Sequence, residues 1–122
     1  MKIKESAENY LEAILILKNK AENVRSIDVA NYLGFSKPSV SVAMKSFREE
    51  GYIKVNEDGY ISLSKKGMDI AKEIFERHNI IAKALMILGV DEVTAYEDSC
   101  KIEHDISNLS FEKIKEFLEK NK

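Results

Sequence analysis

Several residue types are scarce in this sequence of 122 residues, and each scarcity excludes a class of protein. Cysteine occurs once, as Cys100, so an internal disulfide and a cysteine-rich zinc finger are both excluded, and a reducing cytoplasm is the expected setting. No apolar run approaches the roughly 20 residues of a membrane span, and the charged first residues are not followed by the apolar core of a signal peptide. We therefore expect a cytoplasmic chain without a membrane partner.

Charge alone does not point to a partner. The formal net charge is −2, which by itself does not favour nucleic-acid binding. Residues 1–75 carry 12 basic against 11 acidic side chains, and residues 76–122 carry 7 against 10. Because this asymmetry is small, only the local placement of the basic residues can indicate whether the chain binds nucleic acid.

Apolar spacing and capping residues predict a mainly α fold with one small β-hairpin. Helices are expected over residues 7–18, 27–33, 37–50, 65–88, 92–106 and 111–120. The expected N-caps are Ser6, Ser26, Ser36, Ser64 and Ser110. Between residues 52–55 and 60–63, Asp58-Gly59 is a strong hairpin signal.

The order helix, short turn with Gly34, helix and hairpin is typical of a winged helix-turn-helix. The second helix of this motif enters the major groove of DNA, with its N-terminal residues near base edges. Val40, Ala43, Met44 and Phe47 share one side of residues 37–50 and should pack inward. The opposite side should then face double-stranded DNA. The alternative is a helical hairpin without a nucleic-acid role.

The residues expected to contact DNA lie at the start and on the outward side of this helix. They are Ser36, Lys37, Pro38, Ser39, Ser41, Val42 and Lys45. We expect the two lysines to meet phosphates. Two interpretations of Val42 stay open, a tolerated surface valine or a contact with a thymine methyl group.

Cys100, Glu103 and His104 have the spacing i, i+3 and i+4, which predicts one face of one helix. A thiolate, a carboxylate and an imidazole on one face can bind one divalent ion. His78 can join them if its helix packs against this one. A solvated surface is the alternative, because Glu-His pairs are common on exposed helices.

A hydrolase using Cys100 and His104 is the enzyme alternative. Both residues are predicted on one helix surface, and no glycine-rich oxyanion loop lies nearby. We therefore expect neither an enzyme nor a small organic substrate.

Most of the sequence resembles the diphtheria toxin repressor/manganese transport regulator family in its two-domain form. The resemblance is carried by residues 27–41, 50–53, 63–67, 77–78 and 100–107, and it extends from about Ala7. It implies a homodimer that binds a palindromic operator when loaded with Fe²⁺ or Mn²⁺ and represses metal-homeostasis genes. The metal ligands that it implies are Glu12, His78, Cys100, Glu103 and His104.

The sequence departs from the family pattern at four positions. Asn9 stands where the two branches of the family have methionine or aspartate, and its amide oxygen can still ligate. Ala82 and Tyr96 replace ligands of a second metal site, so that site is not expected. Val42 stands where one branch has a base-reading glutamine, so the operator sequence cannot be inherited.

The resemblance implies a winged DNA-binding domain over residues 1–70 and a helical dimerisation and metal-binding domain over residues 71–122. Metal is expected to favour the spacing of two recognition helices, roughly 34 Å or a multiple, that matches operator half-sites. Two alternatives stay open. One is a winged-helix regulator with a degenerate metal site, and the other is a metal-buffering or interaction module that does not bind DNA.

Overall fold

The structure is a computed structural model that describes residues 5–121. The expected fold class is confirmed, and no helix in this part of the chain is long and apolar enough to cross a membrane. The elements are α1 (Glu5–Lys20), α2 (Ser26–Leu33), α3 (Lys37–Glu49), β1 (Ile53–Val55), β2 (Ile61–Leu63), α4 (Lys65–Ile87), α5 (Glu92–Ile102) and α6 (Asn108–Lys120).

The chain divides into two compact units, residues 1–72 and 73–122. The first unit buries an apolar core, in which α1 packs against α2 and β2, and α2 packs against α3. Leu11 and Ile14 of α1 are completely buried, and the inner sides of α2, α3 and β2 complete the core. Val29, Val40 and Ile61 supply those inner sides and are almost completely shielded from solvent. Burial of such side chains stabilises the unit by roughly 1.5–3 kcal/mol for each one.

The turn between α2 and α3 forms at the predicted residues. Gly34 has φ +73°, the left-handed conformation that closes a helix most readily when the residue is glycine. Ser36 is extended and its Oγ accepts a hydrogen bond from the Ser39 N–H at 3.3 Å, so it caps α3 as expected. These two local signals fix where α3 begins.

The hairpin is also confirmed. β1 and β2 are antiparallel, with Ile53 opposite Leu63 and Val55 opposite Ile61. In the connecting turn, the Asn56 Oδ1 accepts hydrogen bonds from the backbone N–H groups of Asp58 and Tyr60, each at 2.9 Å.

Two predicted N-caps in the first unit are wrong. Ser6 lies inside α1, which begins at Glu5. Ser26 is the first residue of α2, and Arg25 is the cap. The reason is that the Asp28 carboxylate accepts a hydrogen bond from the Arg25 N–H at 2.9 Å, which starts the helix one residue earlier.

In the second unit, the prediction of a helix over residues 92–106 followed by a cap at Ser110 is wrong. The Ile102 carbonyl accepts hydrogen bonds from the N–H groups of Asp105 and Ile106 at 3.0 and 3.1 Å, which closes a turn and ends α5. Ser107 then caps α6, because its Oγ accepts a hydrogen bond from the Ser110 N–H at 3.1 Å. Residues 103–107 therefore form a connection between helices.

Candidate metal centre and nucleic-acid interface

His78 of α4 is the centre of a cluster of candidate metal ligands in the second unit. Its Nδ1 lies 3.0 Å from the Glu103 Oε2 and 3.5 Å from the Cys100 Sγ. The candidate ligand atoms of these three residues all lie within 4.8 Å of one another. Residues that are 22 and 25 positions apart in the sequence thus converge.

Glu103 is completely buried, although it carries a carboxyl group. Its Oε1 forms no hydrogen bond within the described residues and lies 3.4 Å from the His104 Nε2. Burying a carboxylate oxygen without a hydrogen bond is costly unless a cation compensates it. Together with the nitrogen, sulfur and oxygen donors beside it, this atom fits a divalent transition metal.

The same neighbours change the protonation of His78. The Cys100 side chain and then the Glu103 carboxylate stabilise the imidazolium and raise the pKa of His78 to about 10, although burial acts in the opposite direction. The metal-free chain therefore holds a proton on this imidazole at neutral pH. That proton must leave before Nδ1 can bind a metal.

The expectation that Cys100, Glu103 and His104 share one helical face is wrong in its geometry. α5 ends at Ile102, Glu103 is the C-cap residue, and His104 lies in the following turn. His104 is nevertheless buried, with its Nε2 directed at Glu103. Glu103 thus joins His78 and Cys100 in the cluster, whereas His104 contacts Glu103 and is not one of the three residues whose ligand atoms lie within 4.8 Å of one another.

Two residues that the sequence did not single out as ligands or contacts support this cluster. Ser99 is fully buried, and its Oγ donates a hydrogen bond to the His78 carbonyl and lies 3.4 Å from the His78 Nδ1. Arg77 donates a hydrogen bond to the Glu103 carbonyl at 3.1 Å. In the sequence, Ser99 is adjacent to Cys100, and Arg77 precedes His78 in a pair of residues that carries the family resemblance.

The remaining predicted ligands lie on α1 in the first unit. Glu12 is buried, and Asn9 is half-buried one turn earlier on the same helix. At the two positions where a second metal site was not expected, Ala82 is buried and Tyr96 places its ring 5.3 Å from the His78 imidazole.

The outward side of α3 is a candidate nucleic-acid interface. Of the four residues predicted for the inward side, Val40, Met44 and Phe47 are buried and Ala43 is half-buried. Val42 is 71% exposed, so its side chain is available for contact with a partner. The seven residues predicted to contact DNA are all exposed, namely Ser36, Lys37, Pro38, Ser39, Ser41, Val42 and Lys45.

A small pocket opens beside this side of α3. It has a volume of about 220 Å³ and is lined by Ser26, Ile27, Lys37 and Ser41. Two hydroxyl groups and an ammonium group therefore meet where α2 and α3 begin. Helix N-termini carry partial positive charge and unpaired N–H groups, so the pocket suits a phosphate.

Comparison with known proteins covers both units. Residues 2–67 match the family model described as the iron dependent repressor N-terminal DNA binding domain. Residues 64–122 match the iron dependent repressor metal binding and dimerisation domain. The chain belongs to the diphtheria toxin repressor/MntR family. The family resemblance in the sequence is thereby confirmed.

Individual relatives agree with membership of this family. The chain is 35% identical to an uncharacterised HTH-type transcriptional regulator of Methanocaldococcus jannaschii, covering 97% of this chain and 96% of that protein. It is 30% identical to the transcriptional regulator MntR of Escherichia coli O6:H1, covering 97% of this chain and 76% of MntR. The solved structure of the manganese regulator SloR has a TM-score of 0.80 at 26% identity, and 98% of this chain spans 55% of SloR.

Proposed function

We propose that this protein is a metal-activated transcriptional repressor that binds a palindromic operator as a homodimer and uses Fe²⁺ or Mn²⁺ as its activating ion. The observation that carries the proposal is the convergence of the His78, Cys100 and Glu103 ligand atoms within 4.8 Å around a buried carboxylate. Such a protein regulates metal-homeostasis genes, works in the cytoplasm where the DNA lies, and catalyses no reaction.

Within the second unit, His78, Cys100, Glu103 and His104 are the proposed ligands. When bound, a divalent cation supplies positive charge that offsets the buried Glu103 carboxylate and a Cys100 thiolate. The thiolate favours Fe²⁺ and the carboxylate favours Mn²⁺, so both ions remain in the proposal. SloR is named as a manganese regulator, which supports testing Mn²⁺ first.

Glu12 and Asn9 are the ligands that we propose for the first unit. Glu12 matches the family pattern, and Asn9 offers an amide oxygen at a position where relatives have a ligand. Participation of either residue would couple metal binding to the unit that carries α3. Glu12→Gln should therefore weaken metal activation more than metal binding itself, which parallel titrations of metal and of DNA can measure.

On the DNA side, we assign Lys37 and Lys45 to phosphates and Ser41 to a base edge. The pocket beside Lys37 and Ser41 supports this orientation. Ser36, Pro38 and Ser39 surround the start of α3, where backbone N–H groups can also meet a phosphate. We assign Val42 to a thymine methyl group, which its largely exposed side chain supports.

A second copy of the chain is proposed to cover the apolar groove of the second unit. The groove has a volume of about 410 Å³ and is lined mainly by Ile81, Leu85, Leu88, Ile114 and Phe117. Leu88 is 73% exposed, and the match to a dimerisation domain agrees with this assignment. We propose residues 1–70 and 71–122 as the DNA-binding and the dimerisation and metal-binding domains.

Operator affinity measured anaerobically with and without Mn²⁺, Fe²⁺, Co²⁺ and Zn²⁺ tests the proposal. We expect metal to raise the affinity by roughly 5–150-fold, the usual range of coupling between two sites. Tight binding that is independent of metal would instead support a winged-helix regulator with a degenerate site. Metal binding without salt-dependent DNA affinity would support a metal-buffering or interaction module.

A further inference from the structure

Arg77 is a buried cation that contacts the connection between α5 and α6, which carries Glu103 and His104. It is only 8% exposed and directly precedes His78 on α4. Its Nη1 donates hydrogen bonds to the Glu103 and Ile106 carbonyls, each at 3.1 Å. Its Nη2 donates a hydrogen bond to the Asn108 Oδ1. The guanidinium group thus holds both ends of residues 103–108.

The carbonyl groups at the end of α5 need such a donor. The last four carbonyls of a helix have no intrahelical partner and carry partial negative charge. A planar guanidinium has several fixed donors and can serve two carbonyls and an amide at once, whereas an ammonium group lacks this geometry. The Phe111 ring, 5.2 Å from the guanidinium carbon, packs against its other side.

The other charged contact of Arg77 is weak by comparison. The Glu73 Oε1 lies 3.7 Å from the Arg77 Nη2, and the Glu73 side chain is 62% exposed. Exposed ion pairs of this kind contribute little to stability. The turn is therefore the main interaction partner of this side chain.

We propose that Arg77 is a positioning residue of the metal site, which fixes the α5–α6 turn so that Glu103 and His104 are presented to the ion. The inference rests on the proposed metal-dependent function. Arg77 and His78 are neighbours on α4. One turn of this helix therefore supplies both the proposed ligand His78 and the side chain that positions the proposed ligands Glu103 and His104. Loss of such supporting contacts typically weakens metal affinity by roughly 10–100-fold.

Electrostatics alone predicts the opposite result. A guanidinium close to a cation site repels the ion, so removal of its charge should tighten metal binding. Positioning predicts that Arg77→Met weakens binding, because methionine keeps an apolar stem without the donors. Arg77→Lys keeps the positive charge but loses the fixed donors of the planar guanidinium, so it should weaken metal binding as well. The direction of the change therefore separates the two explanations.

The experiment compares the full-length parent with Arg77→Met, Arg77→Lys and Asn108→Ala. The matched control is Lys115→Met, which removes a surface cation that joins α6 to Glu76 of α4 at 3.1 Å. Co²⁺ is titrated anaerobically, and its visible absorption spectrum and Kd are recorded with far-UV circular dichroism well below the melting temperature. We expect Arg77→Met to raise the Kd by roughly 10–100-fold and to change the Co²⁺ spectrum. Asn108→Ala should have a smaller effect in the same direction, and the control should match the parent.

A purely structural role would lower the melting temperature of Arg77→Met and leave its Kd and Co²⁺ spectrum unchanged, which would overturn the inference while the proposed function stands. Tighter binding by this variant would overturn it in the same way. If the parent binds no metal, both the inference and the proposed function fail. If Arg77→Met does not fold, the Kd values of Arg77→Lys and Asn108→Ala test the inference instead. Parent-like Kd values in both variants would overturn it.

Discussion

Replacing Glu103 by glutamine should remove metal-induced stabilisation while the metal-free chain still folds. The carboxylate is completely buried, with Oε2 at 3.0 Å from the His78 Nδ1 and Oε1 without a hydrogen bond within the described residues. Glutamine has the same shape, and its amide oxygen can still accept a hydrogen bond from the protonated His78. It lacks the negative charge that a metal ligand at this buried position supplies.

The size of the effect follows from mass action. A metal that binds only the folded chain stabilises it by roughly 2.7 kcal/mol at 100 times its Kd. For a chain of this length that corresponds to a rise of roughly 8–16 °C in Tm. If the substitution raises the Kd by 100-fold, the same metal concentration gives only about 0.4 kcal/mol, or roughly 2 °C.

Thermal unfolding followed by circular dichroism, with Mn²⁺ and with a chelator, measures the metal-induced rise in Tm for the parent and for Glu103→Gln. Glu97→Gln is the matched control, because Glu97 is an exposed residue of α5 and undergoes the same chemical change. The control should show the shift of the parent. An equal Mn²⁺-induced shift in Glu103→Gln would refute the assignment of this carboxylate as a ligand.

Three further predictions concern other parts of the molecule. The pKa of His78 is raised from 6.5 to about 10, so the stability that its protonated form contributes is complete below about pH 6.5 and is lost as the pH rises toward 10. The melting temperature of the metal-free chain should therefore fall across this range. A melting temperature that does not change with pH would contradict the prediction. In Gly67→Ala the new Cβ would clash with the Tyr52 backbone carbonyl oxygen. The strain of roughly 1–3 kcal/mol should exceed the gain in helix propensity of about 1 kcal/mol, so urea unfolding should show lower stability. A more stable variant would contradict this close packing. Lys45→Ala should weaken binding to all DNA sequences and flatten the salt dependence by about one unit of slope, whereas Val42→Ser should change preference at one base position. A changed sequence preference with an unchanged salt slope in Lys45→Ala would mean that α3 is oriented differently.

The sequence by itself determined the DNA-binding half to a large extent. Gly34, Ser36 and the Asp58-Gly59 pair place the helix-turn-helix and the hairpin correctly, because caps and turns depend on residues within about four positions of each other. The sequence also predicted which side of α3 packs inward, because the apolar residues of a buried helical face recur along the chain with a fixed period. The family motif also supplied the residue types of the metal cluster.

Tertiary structure decided how that cluster is built. The spacing of Cys100, Glu103 and His104 suggested a helical face, but α5 ends at Ile102 and a turn presents the last two residues. Nothing in the local sequence indicates that Arg77, 26 positions before Glu103, donates to its carbonyl. The raised pKa of His78 likewise depends on side chains 22 and 25 residues away. Burial, charge pairing and the end of this helix arise from contacts between distant segments, and only the folded chain brings those segments together.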